Sequence, residues 1–176
     1  MFFIKSEEEI ALCPNCGGLL EYHSSRVVRK LTNKTGTKQA YNIRVLKCTN
    51  KSCPTTYHRE LPDIIIPYKR YDTESIEEVI AQNDSEVTVA ADESTIRRWR
   101  KWFRQSATQI IMALVSVCIV IGDKAGPSSL IFQNTNKPVE TVKKIVKRKV
   151  KWLNEAVRIL VNSSKWEFNR SAFLSG

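Results

Sequence analysis

Four cysteines in the first third of the chain have the spacing of two metal-binding turns. In chain order, with the spacings CxxC and CxxxxC and 31 residues between the pairs, they are Cys13, Cys16, Cys48 and Cys53. Two close pairs of thiolates can complete the tetrahedral shell of one zinc ion, with each sulfur about 2.3 Å from the metal. Gly17 suits the first turn, because glycine bends cheaply around a metal. The spacing therefore predicts a structural Zn²⁺ site in a zinc ribbon.

Two disulfides are the alternative use of these cysteines. The first nine residues hold only a four-residue apolar stretch and then an acidic run, which is not the pattern of a secretory signal. We therefore expect a cytoplasmic protein, in which thiols stay reduced and disulfides are rare. The fifth cysteine, Cys118, lies in an apolar run and is predicted to be a buried structural thiol.

The segment between the cysteine pairs predicts a β-hairpin. β-Branched and aromatic residues lie on both sides of a glycine-containing turn at 32–37. The core of such a ribbon is small, so we expect zinc to supply much of its folding free energy. His23 and His58 are predicted to be surface or packing residues, because four thiolates already fill the metal shell.

The remainder of the chain predicts helices. Prolines within 61–68 exclude a regular helix there and predict a hinge between a zinc ribbon, residues 10–66, and a helical domain, residues 72–172. Apolar periodicity predicts C-terminal helices over 107–121 and 138–161. The predicted fold class is α+β, with the four-cysteine ribbon of β-hairpins followed by an all-α domain.

The apolar run 110–121 is too short to span a bilayer. It has 12 residues, whereas a transmembrane helix needs about 20. We expect it to be a buried core helix, with no membrane partner.

Net charge favours a polyanionic partner. The chain has 28 lysines and arginines against 18 aspartates and glutamates, a net charge of +10. A phosphate backbone is the most common partner of such a protein, although surface lysines also serve solubility alone.

The segment after Asp92 predicts an amphipathic helix with a basic face. Ile96, Trp99 and Phe103 recur at intervals of three and four residues, which places them on one buried stripe. A recognition helix needs such an apolar back with polar and basic residues in front, so we predict a helix-turn-helix over 72–105. A solvated amphipathic helix at the edge of the core is the alternative. The predicted DNA contacts are Ser94, Thr95, Arg97, Arg98, Arg100, Lys101 and Arg104.

The predicted helix 138–161 has a basic face and an apolar face. Lys143, Lys147 and Lys151 recur every four residues, and their face either contacts phosphates or is solvated. The apolar face serves either a homodimer or the domain's own core.

The order of these parts resembles a bacterial family. Tyr-His-Arg-Glu-Leu-Pro-Asp at 57–63, Pro-Tyr-Lys-Arg-Tyr at 67–71 and Glu-Ser-Thr-Ile-Arg-Arg-Trp at 93–99 follow the ribbon. Over roughly residues 10–105 the chain resembles an uncharacterised zinc-ribbon and helix-turn-helix family, similar to the N-terminal DNA-binding part of insertion-sequence transposases. The resemblance implies binding to mobile-element or host DNA in a bacterial cytoplasm, in association with the nucleoid. It does not imply catalysis, because such transposases carry an acidic triad on a separate domain.

The sequence as a whole predicts a duplex-DNA-binding protein that is not an enzyme, either a regulator or a transposase-derived protein. Its acidic residues crowd into 61–93 and do not suggest the converging carboxylates that catalytic metal chemistry needs. No small-molecule substrate is expected. One alternative is an RNA-binding module, because zinc ribbons and basic helices also bind RNA. Another is a protein-interaction adaptor whose acidic middle binds a basic partner.

Overall fold

The computed structural model describes residues 2–5, 10–82, 87–121 and 137–163. A four-stranded sheet precedes four helices in these ranges, which confirms the predicted α+β class. The elements are β1 Phe2–Lys5, β2 Leu20–Thr32, β3 Lys38–Cys48, β4 Tyr57–Pro62, α1 Thr73–Ala81, α2 Glu93–Val120, α3 Pro138–Val146 and α4 Trp152–Asn162.

The sheet has the strand order β1-β4-β3-β2, built around the predicted hairpin. Strands β2 and β3 pair antiparallel, and the side chain of Asn33 closes their turn by accepting hydrogen bonds from the amides of Thr35 and Thr37 at 3.1 and 2.8 Å. Strand β1 was not predicted. It pairs parallel with β4, with Ile4 opposite Leu61, and both side chains are buried.

Sheet and helices share one hydrophobic core. Ile43 and Leu61 of the sheet belong to the same buried cluster as Leu114 of α2. Ile65 and Ile66, in the segment predicted to be a hinge, are fully buried in this cluster. Part of the segment 61–68 therefore belongs to the core that the sheet and the helices share.

Helix α2 is continuous where the sequence analysis placed a boundary between residues 105 and 107. It has 28 residues, and its buried stripe continues through Ala107 and Ile110. No glycine or proline interrupts it, so nothing in the local sequence stops the helix. The predicted separate helix 107–121 is the C-terminal half of α2.

The predicted helix 138–161 is two helices, α3 and α4. Lys147 and Lys151 both lie in the left-handed region, with φ angles of 55° and 56°. Lys147 ends α3, and Lys151 precedes α4. The carboxylate of Glu77 in α1 accepts hydrogen bonds from the amides of Lys151 and Leu153, both at 2.9 Å. A side chain distant in sequence therefore caps the N-terminus of α4.

The described helices do not form the compact helix-turn-helix predicted over 72–105. Helix α1 ends at Ala81 and α2 begins at Glu93, so 11 residues separate them, whereas a helix-turn-helix uses a turn of about 3–4 residues. Residues 87–92 of this connection pack against the turn between β2 and β3. Val89 is buried, and the amide of Ala90 donates to the carbonyl of Lys34 at 2.8 Å.

Helix α2 is the one described helix that is long and apolar enough to cross a membrane by length and composition. The core helices of soluble proteins can have the same length and apolar composition. The buried Trp99, Phe103 and Leu114 of this helix pack within the core of the chain.

The Glu77 cap gives a stability prediction. Replacing Glu77 with Ala leaves the first amides of α4 without their acceptor, and we expect a loss of about 1–2 kcal/mol in the free energy of unfolding. Urea unfolding measures the loss. Glu74→Ala is the matched control, because Glu74 is exposed on the same helix. An equal effect of the two substitutions would contradict the role of Glu77.

Candidate metal centre and nucleic-acid interface

The four predicted metal ligands come together at one end of the sheet. Their sulfur atoms all lie within 4.8 Å of one another, and the pairs Cys13–Cys53 and Cys16–Cys48 are each separated by 3.6 Å between Sγ atoms. Sulfurs about 2.3 Å from one ion in a tetrahedron lie about 3.8 Å apart. A disulfide would need about 2.05 Å, and all four cysteines are free. The cluster can therefore hold one metal ion.

Two tight turns position the sulfurs. In the first, the amide of Gly17 donates to the carbonyl of Cys13 at 2.8 Å, and Gly17 has a φ of 70° that favours glycine. A Cβ atom on Gly18 would lie 3.4 Å from the sulfur of Cys16. In the second turn, the amide of Cys53 donates to the carbonyl of Asn50 at 3.1 Å. Backbone geometry thus presets both pairs.

His58 contacts the cluster, which the sequence analysis did not foresee. Its Nε2 atom lies 3.3 Å from Cys13 Sγ and 3.0 Å from the carbonyl oxygen of Thr55. The imidazole is fully buried, and this burial lowers the pKa of His58. The sequence signal for this burial was the alternation of side chains along β4. His58 lies opposite the buried Leu46 of β3. Neutral His58 is a hydrogen-bonding neighbour of the sulfurs, a contact that typically orients metal ligands.

The thiols of the cluster differ in acidity. The backbone amide of Gly18 lowers the pKa of Cys16 to about 7, whereas burial raises the pKa of Cys48 to about 12. Metal binding must displace the proton of each protonated thiol. With a pKa of about 12, Cys48 is a protonated thiol at neutral pH, so it becomes a thiolate ligand there only when a bound metal cation displaces its proton.

The predicted DNA-contacting residues lie on the N-terminal half of α2. Thr95 and Arg100 are half-buried and the other five are exposed. The amide and hydroxyl of Thr95 both donate to the carboxylate of Asp92 at 2.8 Å, and Ser94 also donates to it. These hydrogen bonds hold the pKa of Asp92 well below its usual range. Ser94 and Thr95 therefore take part in capping the helix.

The exposed cations of α2 form one face. Lys101 and Arg104 have no carboxylate partner among the residues that the structure describes. Arg97 pairs with Glu93 at 2.8 Å, and Arg98 binds the hydroxyl of Thr95 at 3.0 Å. Both contacts are local and solvent-exposed, so they leave the side chains accessible. We call Arg97, Arg98, Lys101 and Arg104 the basic face.

Arg100 is placed differently from the basic face. Its guanidinium donates to the carbonyl oxygens of Val79 and Gln82 at 3.3 and 3.4 Å. These are the last carbonyls of α1, which a cation stabilises well. Arg100 therefore braces α1 against α2, in contrast to its predicted role as a DNA contact.

Trp102 is buried. The Nζ atom of Lys69 lies 4.7 Å from the centre of its indole ring. Burial, with a smaller effect of the nearby Arg98 charge, lowers the pKa of Lys69 to about 8. A buried indole under a lysine is not available for stacking on a base.

The lysine face predicted on helix 138–161 is divided between elements. Lys143 lies on α3 and pairs with Glu140 at 2.8 Å. Lys147 and Lys151 are exposed at the break between α3 and α4. They are not one helical stripe.

Residues 13–99 match the model of a family described as a domain of unknown function, DUF6431. The match begins at the first cysteine of the cluster and ends at Trp99, so it spans the metal centre and the start of α2. Searches of curated proteins and of solved structures found no match. The resemblance to transposases is not part of these findings.

Removal of one sulfur tests the metal centre. Cys48→Ser removes a buried ligand, and we expect bound metal to fall from about one ion per chain to almost none. Elemental analysis of the purified protein measures it, and cobalt loading reports tetrahedral thiolate coordination. Cys118→Ser is the control, because Cys118 lies outside the cluster. Full metal content in Cys48→Ser would exclude this site.

The thiol acidities predict a pH dependence. Protons compete with the metal, so affinity should fall as the pH falls, and more steeply below about pH 7, where Cys16 must also release its proton. Chelator competition at several pH values measures this. Constant affinity across that range would show that the metal is not held by these thiols.

Proposed function

We propose that the protein binds duplex DNA through the basic face of α2, and that a structural zinc ion holds the ribbon end of its sheet. The observation that carries the proposal is the basic face, which lies on a helix whose opposite side is locked in the core. We further propose a bacterial regulator or transposase-derived DNA-binding protein, associated with the nucleoid in the cytoplasm. This last step rests on the sequence resemblance alone.

Zinc suits the cluster by ligand type and geometry. Four thiolates form a soft donor set, which favours zinc over magnesium or calcium. Four sulfurs also fill a tetrahedral shell and leave no position for a reactive water, so the ion would have a structural role. The cluster of Cys13, Cys48 and Cys53, with Leu20 against it, is a small core of its own, separate from the main one. A metal would supply the cohesion that so few apolar contacts lack.

The basic face is presented rigidly. Trp99 and Phe103 on the opposite side are buried, and the Phe103 ring packs edge-on against Trp152 of α4, with ring centres 5.6 Å apart. Arg100 ties the same helix to α1. A fixed helix of this width fits the DNA major groove, and its arginines and lysines can contact phosphates or guanine edges. Helix α2 could enter the major groove in this way without being part of a compact helix-turn-helix.

We propose a binding role without catalysis. Three carboxylates of the acidic segment 61–93 are engaged in structural contacts: Glu77 caps α4, Glu78 pairs with Lys34, and Asp92 caps α2. Catalytic metal chemistry needs carboxylates that converge on one point. These three carboxylates act at three different places in the fold and do not converge on one point.

Salt-dependent binding tests the proposal. Lys101→Ala combined with Arg104→Ala should weaken binding of zinc-loaded protein to a labelled duplex and reduce the slope of log affinity against log salt by about two. Lys47→Ala with Lys51→Ala removes the same charge from exposed sites at the metal end, and should leave the slope unchanged.

Two outcomes would count against duplex DNA. Identical salt curves for the wild type and the α2 double variant would exclude the basic face. Tighter binding to a folded RNA than to the duplex, with the same dependence on Lys101 and Arg104, would assign the face to RNA.

A further inference from the structure

A groove lies between the C-terminus of α1, the middle of α2 and the N-terminus of α3. Its volume is about 490 Å³, within the range of about 300–1,000 Å³ that is usual for small-molecule sites. Ile80, Phe103 and Val139 contribute apolar surface to its lining. The groove is distinct from the cysteine cluster at the end of the sheet.

The charge of the groove is positive. Arg104 and Lys137 line it, and neither has a carboxylate partner among the described residues. Its one carboxylate, Glu140, is engaged by Lys143 at 2.8 Å. No side chain caps the N-terminus of α3, where Pro138 occupies the first turn. The amides of a helix N-terminus add to the attraction for an anion.

Apolar surface and cations lie side by side in this groove, so a ligand that combines an apolar body with a phosphate would suit it. Inorganic phosphate at neutral pH fills less of the groove and offers no apolar body to the lining.

We propose that this groove binds a small organic phosphate of about nucleotide size. Its phosphate would contact Arg104 and Lys137 beside the N-terminus of α3. The apolar body would lie against Phe103 and Val139. The groove shares Arg104 with the proposed DNA-binding face, so the test uses Lys137, which lies outside that face.

Calorimetric titration of full-length, zinc-loaded protein tests the proposal, with adenosine 5′-monophosphate as the probe. Lys137→Ala should weaken binding of this probe by about tenfold or more, because it removes a charged contact. Lys144→Ala is the matched control, since Lys144 is exposed on the same helix outside the groove lining, and should bind as the wild type does. Adenosine and inorganic phosphate should each bind more weakly than the complete nucleotide.

Three results would overturn the proposal. The first is the absence of nucleotide binding by the wild type, and the second is equal affinity in Lys137→Ala. The third is inorganic phosphate binding as tightly as the nucleotide, which would indicate a simple anion site. If no nucleotide binds but Lys137→Ala lowers the salt slope for duplex DNA, the groove takes a backbone phosphate instead.

Discussion

Burial of one apolar stripe of α2 is the constraint on which the rest of the structure depends. Trp99, Phe103 and Leu114 occupy the centre of the core, and α1, α3 and α4 pack around them. The hydrophobic effect has no direction of its own, but a helix with one buried stripe can present only one other face to solvent. The position of the basic face is therefore a consequence of core packing.

Polar contacts to backbone groups fix how the elements join. Arg100 binds the terminal carbonyls of α1, Glu77 caps α4, and the amide of Ala90 binds the hairpin tip at Lys34. Each contact satisfies a backbone group that would otherwise lack a partner, and such groups are costly to leave unsatisfied. Arg100 and Glu77, which look like charged surface residues in the sequence, thus join one helix to another.

The end of the sheet that carries the four cysteines is stabilised differently from the hydrophobic core. Among the apolar residues that the structure describes, Leu20 alone packs beside the buried cysteines, so hydrophobic burial contributes little there. Tight turns with hydrogen bonds of 2.8 to 3.1 Å hold the thiols close together, and like-charged thiolates repel one another unless a cation lies between them. One end of the sheet is thus organised by packing, and the other by tight turns that bring four thiols within reach of one metal ion.

The sequence by itself determined the cysteine cluster, the hairpin, the α+β class and the amphipathic α2, because spacing and periodicity are local properties of the chain. Only the tertiary structure decided the pairing of β1, the inward position of Arg100, the contact of His58 with Cys13 and the break between α3 and α4. Each of these depends on a partner distant in sequence. The cap of α4 by Glu77 shows the reason, since 74 residues separate Glu77 from Lys151 and no local pattern records that they meet.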